Sequence, residues 1–210
     1  MSSGTLRIAL AQVNPTVGDI DGNADLIATQ AALAHKAGAH LLVFPEMVLT
    51  GYPVEDLALR PSFQAASMRA IEELAADIKG NIVAVVGYLD QGPKNAVAVI
   101  HEGKIKARYV KRHLPNYGVF DEFRNFVPGD ETLVFRLNGI DIGVAICEDI
   151  WHLDGPVTAL ADRNPGLVVV PNGSPFENDK DNIREDLVKN RSKQIDCPLI
   201  YVNLVGGQDD

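Results

Sequence analysis

A cysteine at the end of an apolar run is the starting point for any chemistry in this chain. Gly143-Val144-Ala145-Ile146-Cys147-Glu148-Asp149-Ile150-Trp151 carries one thiol to the tip of a predicted buried strand and follows it with two acids. Groups at such a tip sit on a rigid support beside solvent. Cys147 is therefore a candidate nucleophile, although free cysteine is also often no more than a small buried hydrophobe. Two other stretches share the design. Leu41-Leu42-Val43-Phe44-Pro45-Glu46 is a short apolar strand that ends on a carboxylate, with Pro45 stopping the ladder. Tyr109-Val110-Lys111-Arg112-His113-Leu114-Pro115 sets Lys111 just beyond a third run of strand formers. A thiol, a carboxylate and an ammonium at three strand ends make a candidate nucleophile, base and charge stabiliser. The plainer alternatives are a solvated loop acid for Glu46 and a strand-edge gatekeeper for Lys111.

The elements that must carry these groups are legible from periodicity. Residues 6–13 read as a first strand, 24–37 as a helix opened by Gly22-Asn23, and 41–44 as a second strand. The helix would bury Leu26, Ile27, Ala31, Leu33 and Ala34. Strand, helix, strand with short joins argues for parallel pairing. A Gly- and Pro-rich loop over 47–61 precedes a second helix, 62–79, with Ser62 as its expected N-cap. Its buried side would be Phe63, Ala66, Met68, Ile71, Leu74, Ala75 and Ile78. Residues 82–88 form a continuous apolar run, expected as a strand buried on both faces. Hairpins follow at 95–109, turning at Glu102-Gly103, and at 132–146, turning at Asn138-Gly139. Between them, 116–129 is irregular and long enough to suggest a functional loop. A short helix at 156–163, a strand at 167–170, a charged helix at 182–196 and a strand at 199–204 complete the reading. The fold class is α/β with a mixed sheet, expected as two sheets in contact with helices outside.

Composition narrows the function. With 210 residues, of which 46% are hydrophobic and 6% aromatic, the chain fits one globular domain. A net charge of −9 disfavours nonspecific nucleic-acid binding, because phosphate backbones demand clustered Lys and Arg. Lys104, Lys106, Arg108, Lys111 and Arg112 read as the polar face of one hairpin. No run approaches the roughly twenty apolar residues of a membrane span. Two cysteines form no disulfide framework and no leader is visible, so a cytoplasmic location is expected. The five histidines show no metal-ligand spacing, and no dinucleotide fingerprint is present, so neither a metal nor an NAD site is expected on this chain.

Phe44-Pro45-Glu46, Tyr109-Val110-Lys111 with Leu114-Pro115, and Cys147-Glu148-Asp149-Ile150-Trp151 resemble the Glu-Lys-Cys triad of the nitrilase (carbon-nitrogen hydrolase) superfamily. Three further motifs resemble the glutaminase domain of glutamine-dependent NAD synthetases. They are Leu49-Thr50-Gly51-Tyr52-Pro53-Val54-Glu55-Asp56-Leu57, Leu114-Pro115-Asn116-Tyr117-Gly118-Val119-Phe120-Asp121-Glu122 and the terminal Gly206-Gly207-Gln208-Asp209. The resemblance implies a four-layer α-β-β-α sandwich and cysteine-dependent hydrolysis of L-glutamine to glutamate and ammonia. Glu46 would act as general base, Lys111 as oxyanion stabiliser and Cys147 as nucleophile. Glu122 would help orient the lysine and the acyl substrate. Tyr117 and Ser174 would contact the glutamine α-amino and α-carboxylate groups, with Tyr52 and Trp151 walling the pocket, unless those two are ordinary core aromatics. Arg184 is a candidate carboxylate clamp, or one charge on a solvated helix face. A charged Lys111 near the thiol is expected to lower its pKa. Glu148 and Asp149 are expected to hold the turn by hydrogen bonds to backbone, and Cys197 to be structural.

In this resemblance residues 1–210 form a single glutaminase domain. The family continues beyond them into a further strand and a synthetase domain, where ATP and deamido-NAD would bind. The expected partners are glutamine, that synthetase domain and further copies in a homo-oligomer. Two rival functions remain open on the sequence: a free-standing amidase or carbamoylase for another small amide, and a nonenzymatic regulatory or assembly module.

Overall fold

A computed structural model of the chain describes residues 5–177 and 180–207, with the side chains of residues 180 and 181 excepted. Gln208 and Asp209 of the quoted terminal motif lie outside the described residues. The first half alternates strand and helix: β1 (Ile8–Leu10), α1 (Ile20–Lys36), β2 (Leu41–Val43), α2 (Pro61–Asp77) and β3 (Val83–Asp90). Strands β1, β2 and β3 pair in parallel, as crossover helices require. Two antiparallel strands, β4 (Lys94–His101) and β5 (Lys104–Val110), complete a sheet of order β1-β2-β3-β4-β5. After the short α3 (Glu122–Asn125) comes the hairpin of β6 (Leu133–Leu137) and β7 (Ile140–Val144). Its Asn138-Gly139 turn has positive φ at both residues, 50° and 81°, as a type I′ turn needs. Then α4 (Pro156–Ala161), β8 (Leu167–Asn172), α5 (Lys180–Ile195) and β9 (Leu199–Asn203) extend β7 into a second sheet of order β6-β7-β8-β9, parallel from β7 to β9.

The period of two along each strand assigns the layers. Val83, Val85, Val97, Val99 and Tyr109 face Ile142, Val144, Val169 and Val202 in a core between the sheets. The alternate residues Ala84, Val86, Ala98 and Ile100 pack beneath Ile27, Ala31, Ile71 and Leu74 of α1 and α2. On the far side, Val168 and Val170 pack with Leu160 and Ile195 of α4 and α5. The result is the expected four-layer α-β-β-α sandwich with two mixed sheets. Strand β2 is only three residues long, yet none of them is more than 1% exposed. At roughly 1.5–3 kcal/mol per buried large aliphatic side chain, this burial holds β2 far more firmly than its few ladder bonds. No helix among the described residues is long and apolar enough to cross a membrane.

Three local expectations are corrected. Helix α1 starts at Ile20, not after Gly22-Asn23, because the Asp19 side chain accepts from the Gly22 N–H at 3.0 Å and caps the first turn. Asn23 thereby lies inside the helix and is buried, tying it to Thr16 and to the Leu49 carbonyl. Helix α2 uses Pro61 as its first residue with Arg60 at the cap, so Ser62 is not the N-cap. Leu33, expected on the buried stripe of α1, is 56% exposed, whereas Ile27, Ala31 and Ala34 are buried.

One glycine on β3 is required by the site itself. A Cβ on Gly87 would stand 2.3 Å from the Met47 nitrogen and 2.6 Å from the Pro45 carbonyl, the backbone on either side of Glu46. Gly87→Ala is expected to cost about 2–3 kcal/mol through overpacking and to depress activity, because the segment that must retreat carries Glu46. Chemical denaturation and turnover of the purified variant check this; an unchanged midpoint would show that the contact relaxes without cost.

Candidate active site

The three strand ends converge. Glu46 follows β2, Lys111 follows β5 and Cys147 follows β7, and Glu46 and Lys111 are completely buried. Lys111 Nζ lies 2.7 Å from Glu46 Oε1 and 2.8 Å from Glu122 Oε2. Burial alone would lower the Lys111 pKa, but Glu122 and Glu46 outweigh it and raise it well above the ordinary range. The residue is thus a fixed cation in a dry site, and the hairpin-face and gatekeeper readings of Lys111 both fail. Asn95, which the sequence reading did not single out, donates from Nδ2 to Glu46 Oε1 at 2.7 Å and to Glu122 Oε1 at 3.2 Å. Tyr52 adds its hydroxyl to Glu122 Oε1 at 2.9 Å. With Oε1 occupied by Lys111 and Asn95, Glu46 keeps a buried Oε2 that has no hydrogen-bond partner among the described residues. That oxygen has the capacity to take a proton.

Cys147 stands on a tight turn of 3₁₀ type and is itself at φ 40°, a left-handed conformation that costs a nonglycine residue of order 1–3 kcal/mol. Asp149 holds the turn. Its carboxylate accepts from the Ile146 N–H at 2.9 Å, from the Arg112 and His113 N–H groups at 3.0 and 2.9 Å, and from the Tyr109 hydroxyl at 2.8 Å. It therefore ties the cysteine turn to the segment that carries Lys111. Glu148 behaves differently from the expectation: it accepts from the Tyr117 hydroxyl at 2.9 Å and meets His152 at 3.2 Å, through side chains instead of backbone.

Lys111 does pull the Cys147 thiol down, as expected, but it is outweighed. Burial and the Glu46 carboxylate push Cys147 up, and Lys111 only partly opposes them. This direction favours the protonated thiol, so a nucleophilic role for the sulfur would call for a base beside it. Gly173, at the end of β8, is where thiol and base meet. Its backbone lies within hydrogen-bond reach of Cys147, and a Cβ built on it would be 3.2 Å from Glu46 Oε2 and 2.7 Å from the Tyr52 ring. Any side chain there would fill the reacting space.

Glu122 supplies a pH signature. Burial pushes its carboxyl from the ordinary 4.5 up to about 7, with Lys111 pulling it down and Glu46 pushing it further up. The folded chain therefore binds a proton here that the unfolded chain releases. The stabilisation is fully present below about 4.5 and disappears as pH rises through about 7. Unfolding free energy, followed by urea denaturation, is expected to fall with rising pH more steeply in the wild type than in Glu122→Gln across this window. Equal slopes would count against the assignment.

A cavity of about 530 Å³ lies beside this machinery, lined among others by Tyr52, Phe120, Ser174, Phe176, Arg184 and Asn203. Ser174 Oγ lies 3.5 Å from Cys147 Sγ. The Arg184 guanidinium reaches the cavity wall and donates to the Pro175 carbonyl. Tyr117 is half exposed, its hydroxyl held by Glu148, the residue after Cys147. Trp151 is elsewhere. It packs with Ile150, Val157, Leu160 and Ile195 under α4 and α5, because the turn after Cys147 rotates it to the outer face of the sheet. Cys197 is buried in that same layer, and its carbonyl accepts from Ser192 Oγ at 2.7 Å.

This arrangement of layers and strand ends matches known proteins. The family model for carbon-nitrogen hydrolase covers residues 7–210, and the chain belongs to that family. The glutamine-dependent NAD(+) synthetase of Acinetobacter baylyi is 43% identical to it over 210 residues, covering 98% of this chain and 38% of that protein. The synthetase of Aquifex aeolicus is 39% identical over 208 residues, covering 98% of this chain and 36% of the other. The chain thus spans less than two fifths of the length of these curated relatives. Among solved structures, a glutamine-dependent NAD+ synthetase from Acinetobacter baumannii superposes with a TM-score of 0.92 at 41% identity, over 97% of this chain and 39% of that one. A Nesterenkonia amidase from the nitrilase superfamily gives a TM-score of 0.86 at 25% identity, over 100% of this chain and 80% of that one.

Proposed function

We propose that the chain hydrolyses L-glutamine to glutamate and ammonia, as the glutaminase part of a glutamine-dependent NAD synthetase. The observation that carries this is the buried Lys111, ion-paired to Glu46 and Glu122 beside a nucleophile raised on a left-handed turn. The relatives at about 40% identity supply the choice of amide. Glu46 Oε2 takes the Cys147 proton as the sulfur attacks the carboxamide carbon. Lys111 and the main-chain N–H that follows Cys147 stabilise the oxyanion. The tetrahedral species collapses as Glu46 returns the proton to the departing nitrogen, giving ammonia and a thioester. Water, deprotonated by Glu46, then attacks the thioester, and glutamate leaves as the thiol is restored.

Tyr52, Ser174 and Arg184 line the cavity and Tyr117 is held by Glu148, and we assign Tyr117, Ser174 and Arg184 the α-amino and α-carboxylate groups. Glu122 orients Lys111. This chain carries no cofactor in our reading; ATP and deamido-NAD belong to the synthetase part, which receives the ammonia. Exposed Val119 and Phe176 on the cavity wall suit a covering partner, either that part or a further copy in a homo-oligomer, working in the cytoplasm. Ammonia and glutamate release from L-glutamine, measured beside a panel of other small amides, tests the proposal. Glutamine is expected to be turned over in preference, and activity confined to other amides would overturn the reading.

A further inference from the structure

Strand β9 grips Ser174 from three sides. The Ser174 N–H donates to Asn203 Oδ1 at 2.8 Å, its carbonyl accepts from Asn203 Nδ2 at 2.9 Å, and its Oγ lies 2.9 Å from the Tyr201 hydroxyl. Residues 201 and 203 alternate along the strand, so one face of β9 supplies both contacts. On its other side Ser174 Oγ meets Cys147 Sγ at 3.5 Å. A serine hydroxyl owns one hydrogen, and the direction of that hydrogen decides what the sulfur feels. Pointed at Tyr201, it deprives the sulfur of the serine's donation; pointed at Cys147, it leaves Tyr201 to donate in return.

We propose that Tyr201 is a positioning residue for the reaction, donating its hydroxyl hydrogen to Ser174 Oγ and so committing the Ser174 hydrogen to the Cys147 sulfur. The inference rests on Cys147 being the nucleophile and adds the device that stabilises its anion. The balance is simple. While the sulfur is a thiol, its S–H can donate to Ser174. When Glu46 takes that proton, the two hydroxyls turn, Ser174 donating to Sγ and Tyr201 to Ser174, and no further proton leaves or enters. A buried thiol pushed up by desolvation and by Glu46 needs such a donor, and Ser174 is one of the groups that opposes the push, with Lys111 and the Gly173 backbone. Burial and the neighbouring Cys147 hold the Tyr201 phenol protonated, against the pull of Ser174 and Arg184 and with a small push from Glu46. It is thus available as a donor throughout the working pH range.

Tyr201→Phe keeps the ring and removes the hydrogen. The alkylation rate of Cys147 by iodoacetamide should be followed against pH by peptide mass, which separates it from Cys197, together with kcat and KM for glutamine and the unfolding midpoint. Without the tyrosine hydrogen Ser174 Oγ is no longer held toward the sulfur, and the bond thereby given up, from Ser174 to the charged sulfur, is worth about tenfold. The alkylation profile is expected to move about one pH unit upward and kcat to fall about tenfold, with KM and the midpoint little changed. Ser174→Ala should show the same displaced profile, and Tyr201→Phe/Ser174→Ala should displace it no further, because Tyr201 acts through Ser174. A Tyr201→Phe profile that superimposes on the wild type, or effects that add in the double variant, would overturn the inference. If the wild type alkylates at Cys147 yet does not hydrolyse glutamine, the glutaminase reading fails while the alkylation profiles still decide the role of Tyr201.

Discussion

Cys147→Ala is expected to remove glutamine turnover almost entirely while the protein remains folded. Loss of a covalent nucleophile from a comparable catalytic set lowers kcat by roughly a million-fold, and no other described group at the site can form the thioester. The Oγ of Ser174 shares its environment with the sulfur, but it is engaged by Tyr201 and does not sit on the strained turn. Stability should hardly suffer. The sulfur contributes modest packing, and alanine at φ 40° carries the same backbone cost as cysteine. Cys147→Gly should relieve part of that strain, by about 1 kcal/mol, and so be at least as stable as the alanine variant while equally inactive. Ammonia release with a sensitive coupled assay, beside thermal unfolding of each variant, measures both halves. Turnover by the alanine variant within about tenfold of the wild type would remove Cys147 from the mechanism.

Lys111→Met is the other large effect, and it strikes stability as well as rate. Methionine approximates the volume of the lysine stem but leaves Glu46 and Glu122 buried with no cation between them. Breaking a buried ion pair from one side costs about 3–5 kcal/mol, because the surviving charge stays desolvated. Here two carboxylates survive, and the chain's remedy is to protonate one. The Glu122 carboxyl, already pushed up by burial, rises further once the lysine that pulled it down is gone. Its stability is therefore best at low pH and drops as pH rises, with a steeper slope than the wild type through neutrality. Urea denaturation at a few pH values reads this directly. Adding Glu46→Gln to the variant should restore much of the stability and none of the activity, which separates the structural burden of the lysine from its chemical role. A Lys111→Met protein as stable as the wild type at pH 8 would mean that the carboxylates are already neutral in the parent.

Asn95 marks the boundary between what pattern reveals and what folding decides. It sits near the start of β4 with no motif around it, yet its amide bridges Glu46, which is 49 positions away, and Glu122, which is 27 away. No periodicity reports a contact between residues so far apart. Tyr201 and Asn203 escaped notice for the same reason, reading in sequence as an ordinary last strand. Trp151 shows the converse case, in which the core-aromatic alternative holds. It is adjacent to the nucleophile turn in sequence, but one 3₁₀ turn sends it to the opposite face of the sheet. Lys111 lowers the thiol as its charge implies, but the burial and the Glu46 carboxylate that outweigh it exist only in the folded chain.

The alternation of strands and helices, the two hairpins, and the placing of a thiol, a carboxylate and an ammonium at strand ends are all legible in the residues. These follow from local periodicity, turn chemistry and the interruption of apolar runs by polar residues, all of which act over a few positions. Only the tertiary structure decided that the three strand ends converge, that Lys111 is completely buried between two acids, and that β9 reaches across to hold Ser174 against the thiol. Those are consequences of pressing two sheets together over one apolar core, which brings distant residues within hydrogen-bond reach and removes the water that would otherwise screen them.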